Sequence, residues 1–180
     1  VYATYEGQGG VPLPGWRRWA YALREVSATL LFNQDMNAKN RVLMHRTPQE
    51  RVQRLAPWLT LDSDPYLVIT EGRLIWVLDG LTQSATFPYS RTWPPSRPGQ
   101  MTSSPNYMRN SIKATVDAYD GTVHLYRTTS EDPIGDAWMA AFPNLIHPIE
   151  TMPEDLHTHI RYPRDLFRLQ AELYADYHMP

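Results

Sequence analysis

Asp117 and His124 are the side chains whose types and spacing come nearest to chemistry. They fall on two alternating runs within Asn106–Tyr126 that meet at Asp120-Gly121. An Asp-Gly pair favours a two-residue type I′ turn, whose central residues both take positive φ. That turn sets Asp117 opposite His124 and Thr115 opposite Tyr126. On the other face Ala118 meets Val123, Val116 meets Leu125 and Ala114 meets Arg127, with Ile112 at the head of a largely apolar row. A carboxylate beside an imidazole can orient a general base. A hydrolase would also need a nucleophile, and Ser111, Thr115 and Thr122 sit in no elbow motif. The plain alternative is a cross-strand polar pair worth about 0.2–1 kcal/mol.

Other candidate groups carry weaker signals. Asp62, Asp64, Asp79, Asp117 and Asp120 gather near expected strand ends, where hard cations find oxygen ligands. Asp62-Ser63-Asp64 lacks the glycine and distal glutamate of a calcium loop, and aspartates at such places also cap turns. His157 and His159 project about 200° apart on a helix, unlike the i, i+4 pair that zinc prefers. His45, His147 and His178 are scattered, so no metal site or cofactor is expected. Arg161, Arg164 and Arg168 could contact a phosphate or an anionic headgroup. Their interleaving with Asp165 and Glu172 also suits a solvated helix face. No glycine-rich phosphate loop accompanies them. Phe87, Tyr89 and Trp93, together with Trp16 and Trp19, are candidates for a contact surface.

The elements that must position these groups follow from composition and periodicity. The chain has 180 residues, 42% hydrophobic and 20% charged, which suits a globular domain. A formal charge of −2 argues against nucleic acid as a partner. The absence of cysteine excludes disulfides and thiolate chemistry. Glycines and prolines make Val1–Pro14 a loop. Trp16, Trp19, Ala20, Leu23 and Val26 then recur at helical spacing, and the apolar pattern runs on to Phe32. The Trp and Arg content of this stretch would suit a membrane-surface helix, but the expectation is an amphipathic helix packed on the domain. Asn33–Asn40 is polar, and Arg41–His45 reads as a short extended piece.

Thr47-Pro48-Gln49-Glu50 starts a helix with a capping box, and Val52, Leu55, Ala56 and Leu59 form its stripe. The hairpin Pro65–Thr82 follows, turning at Glu71-Gly72. It is apolar on both faces and is therefore expected to be central and to carry the core. A Pro-rich loop spans 84–105. Beyond the second hairpin, Asp132-Pro133 opens a helix lined by Ile134, Ala137, Trp138 and Ala141. Leu145–Thr151 is a connector. Thr151-Met152-Pro153-Glu154 is read as a second capping box, starting a short helix to Ile160. A last helix runs from about Arg164 to Tyr177 with Leu166, Leu169, Leu173 and Tyr177 on its stripe. The expected fold is α+β in one domain over 1–180. An antiparallel sheet of two hairpins, about 65–82 and 111–128, carries helices on its faces and a helical C-terminal end.

Several long strings resemble a known family. They include Arg51–Tyr66, Asp79-Gly80, Asn106-Tyr107 and Arg109-Asn110-Ser111. The most specific is Lys113–Val123. Further on come Glu131-Asp132-Pro133, Arg161-Tyr162-Pro163 and Gln170-Ala171-Glu172-Leu173. On these the chain resembles the large bacterial membrane proteins grouped as uncharacterised protein family 0182. Met108 and the composition of Ser84–Ser104 depart from that pattern. The resemblance implies membrane helices followed by a large soluble region, with this chain one part of that region on the extracytoplasmic side. The ends at Val1 and Met179-Pro180 are expected to be cuts in a longer protein. Implied partners are the membrane helices of the same full-length chain, a protein partner or a second copy. No activity comes with the family. The expected role is protein contact or ligand sensing, with a hydrolase or transport-coupled binding of a cation or substrate as alternatives. The order helix, hairpin, then Val-Asp-Ala-Tyr-Asp-Gly-Thr-Val is also similar to PepSY-type modules, small extracytoplasmic α+β domains.

Overall fold

The computed structural model describes residues 5–7, 9–32, 40–93, 104–128 and 131–178. The 94–103 part of the expected Pro-rich loop, most of the polar run at 33–40 and the C-terminal pair 179–180 lie outside them. The chain divides into two compact units, Val1–Arg46 and Thr47–Pro180.

In the first unit, strand β1 (Val11–Pro12) pairs antiparallel with β2 (Arg41–Val42). Helix α1 covers Gly15–Arg24 and helix α2 Thr29–Phe32, so the expected single helix is two. The break falls where Val26 takes φ 50°, outside the helical region. The Arg18 guanidinium turns inward and donates to the carbonyls of Leu30 and Leu31, and Ala22 is buried. Within this unit the Trp16–Leu23 stripe of α1 is left exposed.

The second unit holds the sheet. Helix α3 (Pro48–Leu55) starts as expected, with the Thr47 hydroxyl accepting from the Glu50 N–H at 3.4 Å. Strands β3 (Thr60–Leu61), β4 (Tyr66–Thr70), β5 (Arg73–Ser84) and β6 (Tyr107–Asp117) follow, then β7 (Val123–Arg127). Helix α4 (Pro133–Ala141) leads to β8 (Ile146–Pro148), a 3₁₀ turn at Ile149–Thr151, helix α5 (Glu154–His157) and helix α6 (Arg164–His178). The sheet order is β3-β5-β6-β7-β8, with β4 also on β5. All pairs are antiparallel except β7 with β8, which the connector reading of Leu145–Thr151 did not anticipate.

The α+β expectation and the turn at Glu71-Gly72 hold, with two local differences. The Glu71-Gly72 turn is of the I′ kind, with φ 48° and 76°, and sets Tyr66 against Val77 and Val68 against Ile75. Of that hairpin only β5 is central. β4 lies at an edge, and Leu67, Ile69 and Leu74 are exposed. The other difference concerns the second expected capping box: Thr151 closes the 3₁₀ turn by donating to the Pro148 carbonyl and does not cap α5.

The two sheet faces bury different things. Leu78, Ile112, Ala114, Val116 and Leu125 pack beneath Val52, Ala56 and Leu59, with Trp58 and Trp138 stacked 4.2 Å apart at the margin. Gly80, at the register shift in β5, lets the chain after α3 approach. A Cβ there would come within 2.9 Å of the Leu59 side chain. The opposite face carries Tyr66, Val68, Val77 and Tyr126 under Met152 and Leu156. It also buries an ion pair, Lys113 with Asp79, at 1% and 4% exposure. Lys113 donates as well to the Arg161 carbonyl at 2.6 Å.

Taking one partner from such a pair leaves the other charge stranded. Lys113→Met is expected to cost about 3–5 kcal/mol, and Lys113→Met with Asp79→Leu to recover most of it. Urea denaturation of the three proteins measures this. A double variant no more stable than the single one would refute the account.

Candidate functional site

The loop that joins β6 to β7 is longer than a two-residue turn. Asp117 and Thr122 close it through the Asp117 N–H on the Thr122 carbonyl at 2.9 Å, and the Gly121 N–H returns to the Asp117 carbonyl at 2.8 Å. Gly121 has φ 71° while Asp120 does not take positive φ, so the turn is not I′. The cause lies in the Asp117 side chain. One carboxylate oxygen accepts the N–H groups of Tyr119 and Asp120 at 2.8 and 2.7 Å, folding the chain into an Asx-type turn. The other accepts from Arg73 Nε at 2.7 Å, and Arg73 reaches Asp120 at 2.6 Å with its remaining arm.

The strand register moves by two residues as a result. His124 faces Thr115, and Val123 faces Val116. The expected Asp117–His124 opposition is thus corrected: among the described residues no hydrogen bond joins them. The two do line one concavity of about 320 Å³. Its floor is the sheet face that bears Ile75, Thr115, His124 and Tyr126. Arg73 and Asp117 stand at one end, and Pro153 and Leu156 form a wall. His124, Tyr126 and His147 group their rings 6.2–6.5 Å apart, because β8 lies parallel beside β7 and sets His147 next to Tyr126.

Electrostatics divide these groups by role. Burial pushes Asp117 up, but the Arg73 hydrogen bond and the two backbone N–H groups outweigh it and hold the carboxyl below its ordinary range. The same carboxylates raise Arg73 further. Burial raises the Tyr126 hydroxyl. At this end Arg73 is tied to two carboxylates, and along the floor His124 is the exposed polar side chain, with Thr115 and Tyr126 buried beside it.

The other candidates are spread over the unit. Asp62 accepts from the Asp64 N–H at 3.0 Å and from the Asp165 N–H at 2.7 Å, while Asp165 accepts from the Ser63 N–H and hydroxyl, each at 2.8 Å. This exchange fastens the start of α6. Burial is the main cause that raises Asp62, and burial raises Asp79 despite Lys113. Among the described residues no three His, Cys, Asp or Glu side chains group as a metal would need. The arginines do not converge. The Arg161 guanidinium lies 4.5 Å from the Tyr66 ring, Arg164 is 3.7 Å from Asp64, and Arg168 is 3.9 Å from Asp165.

Phe87 stacks on Tyr107 at 4.9 Å. Tyr89 is fully exposed at φ 57°, and Trp93 is half-buried with Arg91 5.7 Å from its ring. Asn106 holds this segment. It takes the Phe87 N–H at 3.0 Å and donates to the Phe87 carbonyl at 2.7 Å. Sequence reasoning missed that clamp. It read Asp132 only as a helix opener, whereas its buried carboxylate gathers Thr82, Ser111, Tyr107 and the Gly135 N–H. The available signal was a run of polar residues at alternate strand positions beyond Gly80.

These features define a mixed-sheet α+β domain with a ligand-sized concavity on one sheet face. Residues 1–180 match the model of an uncharacterised protein family, UPF0182. The chain is 44% identical over 184 residues to a UPF0182 protein of Rhodococcus jostii, covering 98% of this chain and 19% of that protein. It is 42% identical over 186 residues to one of Mycobacterium tuberculosis H37Rv, with coverage of 98% and 19%. It is 43% identical over 193 residues to one of Frankia casuarinae, with coverage of 99% and 19%. The chain belongs to this family and spans about a fifth of the length of these relatives. No solved structure matches it.

Asp132 gives a pH test. Burial raises it, but the hydrogen bonds from Ser111, Thr82, Tyr107 and Gly135 win, and its pKa is lowered. A lowered carboxylate contributes stability that is complete above the unfolded value, about 3.9, and lost as pH falls through the folded value. Asp132→Asn should cost about 2–3 kcal/mol near neutral pH. The gap to wild type should stay constant down to about pH 5 and close below about pH 4. Chemical denaturation across pH measures it, and a gap that persists in acid would refute the assignment.

Proposed function

We propose that this chain is a ligand-sensing module of the larger family protein, with the concavity on the β5–β7 face as its ligand site. The observation that carries the reading is the concavity itself. It is large enough for a small molecule, floored by Ile75, Thr115, His124 and Tyr126, and walled by Pro153 and Leu156. The hydrolase alternative loses its support, because Asp117 is committed to Arg73 and to the turn rather than to His124. For the transport-coupled cation alternative, no three His, Cys, Asp or Glu side chains group among the described residues. Protein contact is a second reading. Tyr89, fully exposed and held in place by the Asn106-clamped segment, favours it.

The module would stand outside the bilayer on the extracytoplasmic face of a multispanning protein. Family resemblance supports this placement. No described helix is long and apolar enough to cross a membrane.

Two measurements test the proposal. A thermal-shift panel of small amines, carboxylates and sugars should contain a stabilising compound, worth about 2.7 kcal/mol at a hundredfold excess over its Kd. His124→Trp, which fills the concavity from an exposed position, should abolish the shift without lowering the basal melting point. A compound that stabilises both proteins equally binds elsewhere and sinks the site. A fusion at Thr151 in the full-length protein should report as extracytoplasmic, and a reporter active only in the cytoplasm would reverse the placement.

A further inference from the structure

The first unit has an apolar helix face that its own packing cannot use. At about 100° per residue, Trp19, Leu23 and Trp16 lie within about 60° of one another on α1. They are 66%, 83% and 70% exposed. Arg24 and Arg17 border the stripe, about 80–100° from Trp16. The far side is already committed, because Arg18 donates to the α2 carbonyls and Ala22 is buried. The rotation of α1 is thereby set with the aromatic face outward. Apolar surface of this size on a short helix means that something else covers it.

We infer that α1 is an in-plane helix that seats Trp16, Trp19 and Leu23 in the interface of an anionic lipid bilayer. Composition favours lipid, since Trp and Leu on one face with Arg at its border is the chemistry of the headgroup boundary. The Arg17 guanidinium lies 5.3 Å from the Trp16 ring, pairing charge and aromatic at one level. Charge favours it too. Val1–Arg46 holds six of the 17 Lys and Arg residues but only three of the 19 Asp and Glu, while the rest of the chain is acidic. The basic excess thus lies in the unit that bears the aromatic stripe, and basic residues beside a bilayer attract anionic lipid. Length fits as well: α1 has 10 residues, about half what a span needs, so it can lie on a membrane and not cross it. A second copy fits less well. Two Trp side chains of about 150–250 Å² each and one Leu fall short of the roughly 800 Å² per partner of a stable interface.

This inference rests on the proposed membrane setting only for the presence of a bilayer. The test uses the 180-residue chain with vesicles of phosphatidylglycerol and phosphatidylcholine, and with phosphatidylcholine alone. Co-sedimentation should show binding to the anionic vesicles that weakens as salt rises. Trp16→Ser/Trp19→Ser/Leu23→Ser should weaken it by about tenfold or more, with an unchanged melting curve because the side chains are exposed. Arg17→Gln/Arg24→Gln should reduce the preference for anionic over zwitterionic vesicles. Brominated lipid should quench tryptophan emission in wild type more than in the triple variant. The inference fails if the folded wild type ignores both vesicles, or if the triple variant binds as wild type does. It also fails if the stripe instead holds a dimer that the triple variant splits, with no vesicle binding. A vesicle failure alongside an extracytoplasmic reporter signal would remove only the helix assignment and leave the proposed function standing.

Discussion

The arrangement of the second unit depends on the cost of burying Lys113 with Asp79. Each ion loses several kcal/mol of hydration inside a protein, and the pair recovers it only when the remaining donors and acceptors are filled. The Arg161 carbonyl fills part of the requirement for Lys113, and Asn110 contributes to that of Asp79. Arg161 must therefore lie against the sheet. Its N–H donates to the Tyr66 hydroxyl at 3.0 Å, and its side chain covers the Tyr66 ring. Once that segment is laid down, α6 begins three residues later, beside Asp62 and Ser63, which exchange hydrogen bonds with Asp165. One buried pair on the central strands thus decides where the C-terminal helix starts.

The same pair explains why the concavity lies where it does. One half of that sheet face is occupied by the ion pair and by the segment that crosses it. The other half is covered by the short helix α5 and its flanking turns, whose Leu156, Met152 and Ile149 reach the cluster of Val68, Val77 and Tyr126. His124 falls beyond that cover, while Thr115 is buried at the floor of the concavity. Arg73, clamped by Asp117 and Asp120, keeps the β4–β5 turn against the β6–β7 loop, so the rim stays open without strain in its polar groups. On the opposite sheet face α3 and the Trp58–Trp138 stack cover the core.

Much of this architecture was legible in the sequence. The turn at Glu71-Gly72 and the capping residues Thr47 and Asp132 act locally, and local chemistry can be read from neighbours. So can the burial of Val52 in α3 and of Ala56 and Leu59 just after it, although Leu55 of the same expected stripe is exposed. What escaped depends on partners far along the chain. Nothing near Asp117 shows that Arg73 will neutralise it, and that contact, with the two N–H groups, replaces the Asp-Gly turn and shifts the register. Lys113 and Asp79 stand out only once their strands are paired, as charges in the middle of apolar runs. The parallel β7–β8 pair brings His147 to His124 across a helix and was invisible to periodicity. In α1 the pattern was read correctly as amphipathic, but its rotation was set by Arg18 and α2, which a helical wheel does not contain.

Asp117 shows how far a suggestive pair stands from a reactive one. Its carboxylate accepts three donors, from Arg73 and from the N–H groups of Tyr119 and Asp120. Each hydrogen bond to the charged form lowers its basicity. Each of these donors has a structural task, since the two N–H groups hold the turn and Arg73 ties the loop to β5. His124 faces a threonine hydroxyl, with a tyrosine and a second histidine as ring neighbours. Those groups donate and accept hydrogen bonds without committing a charge, which suits holding a molecule more than transforming one.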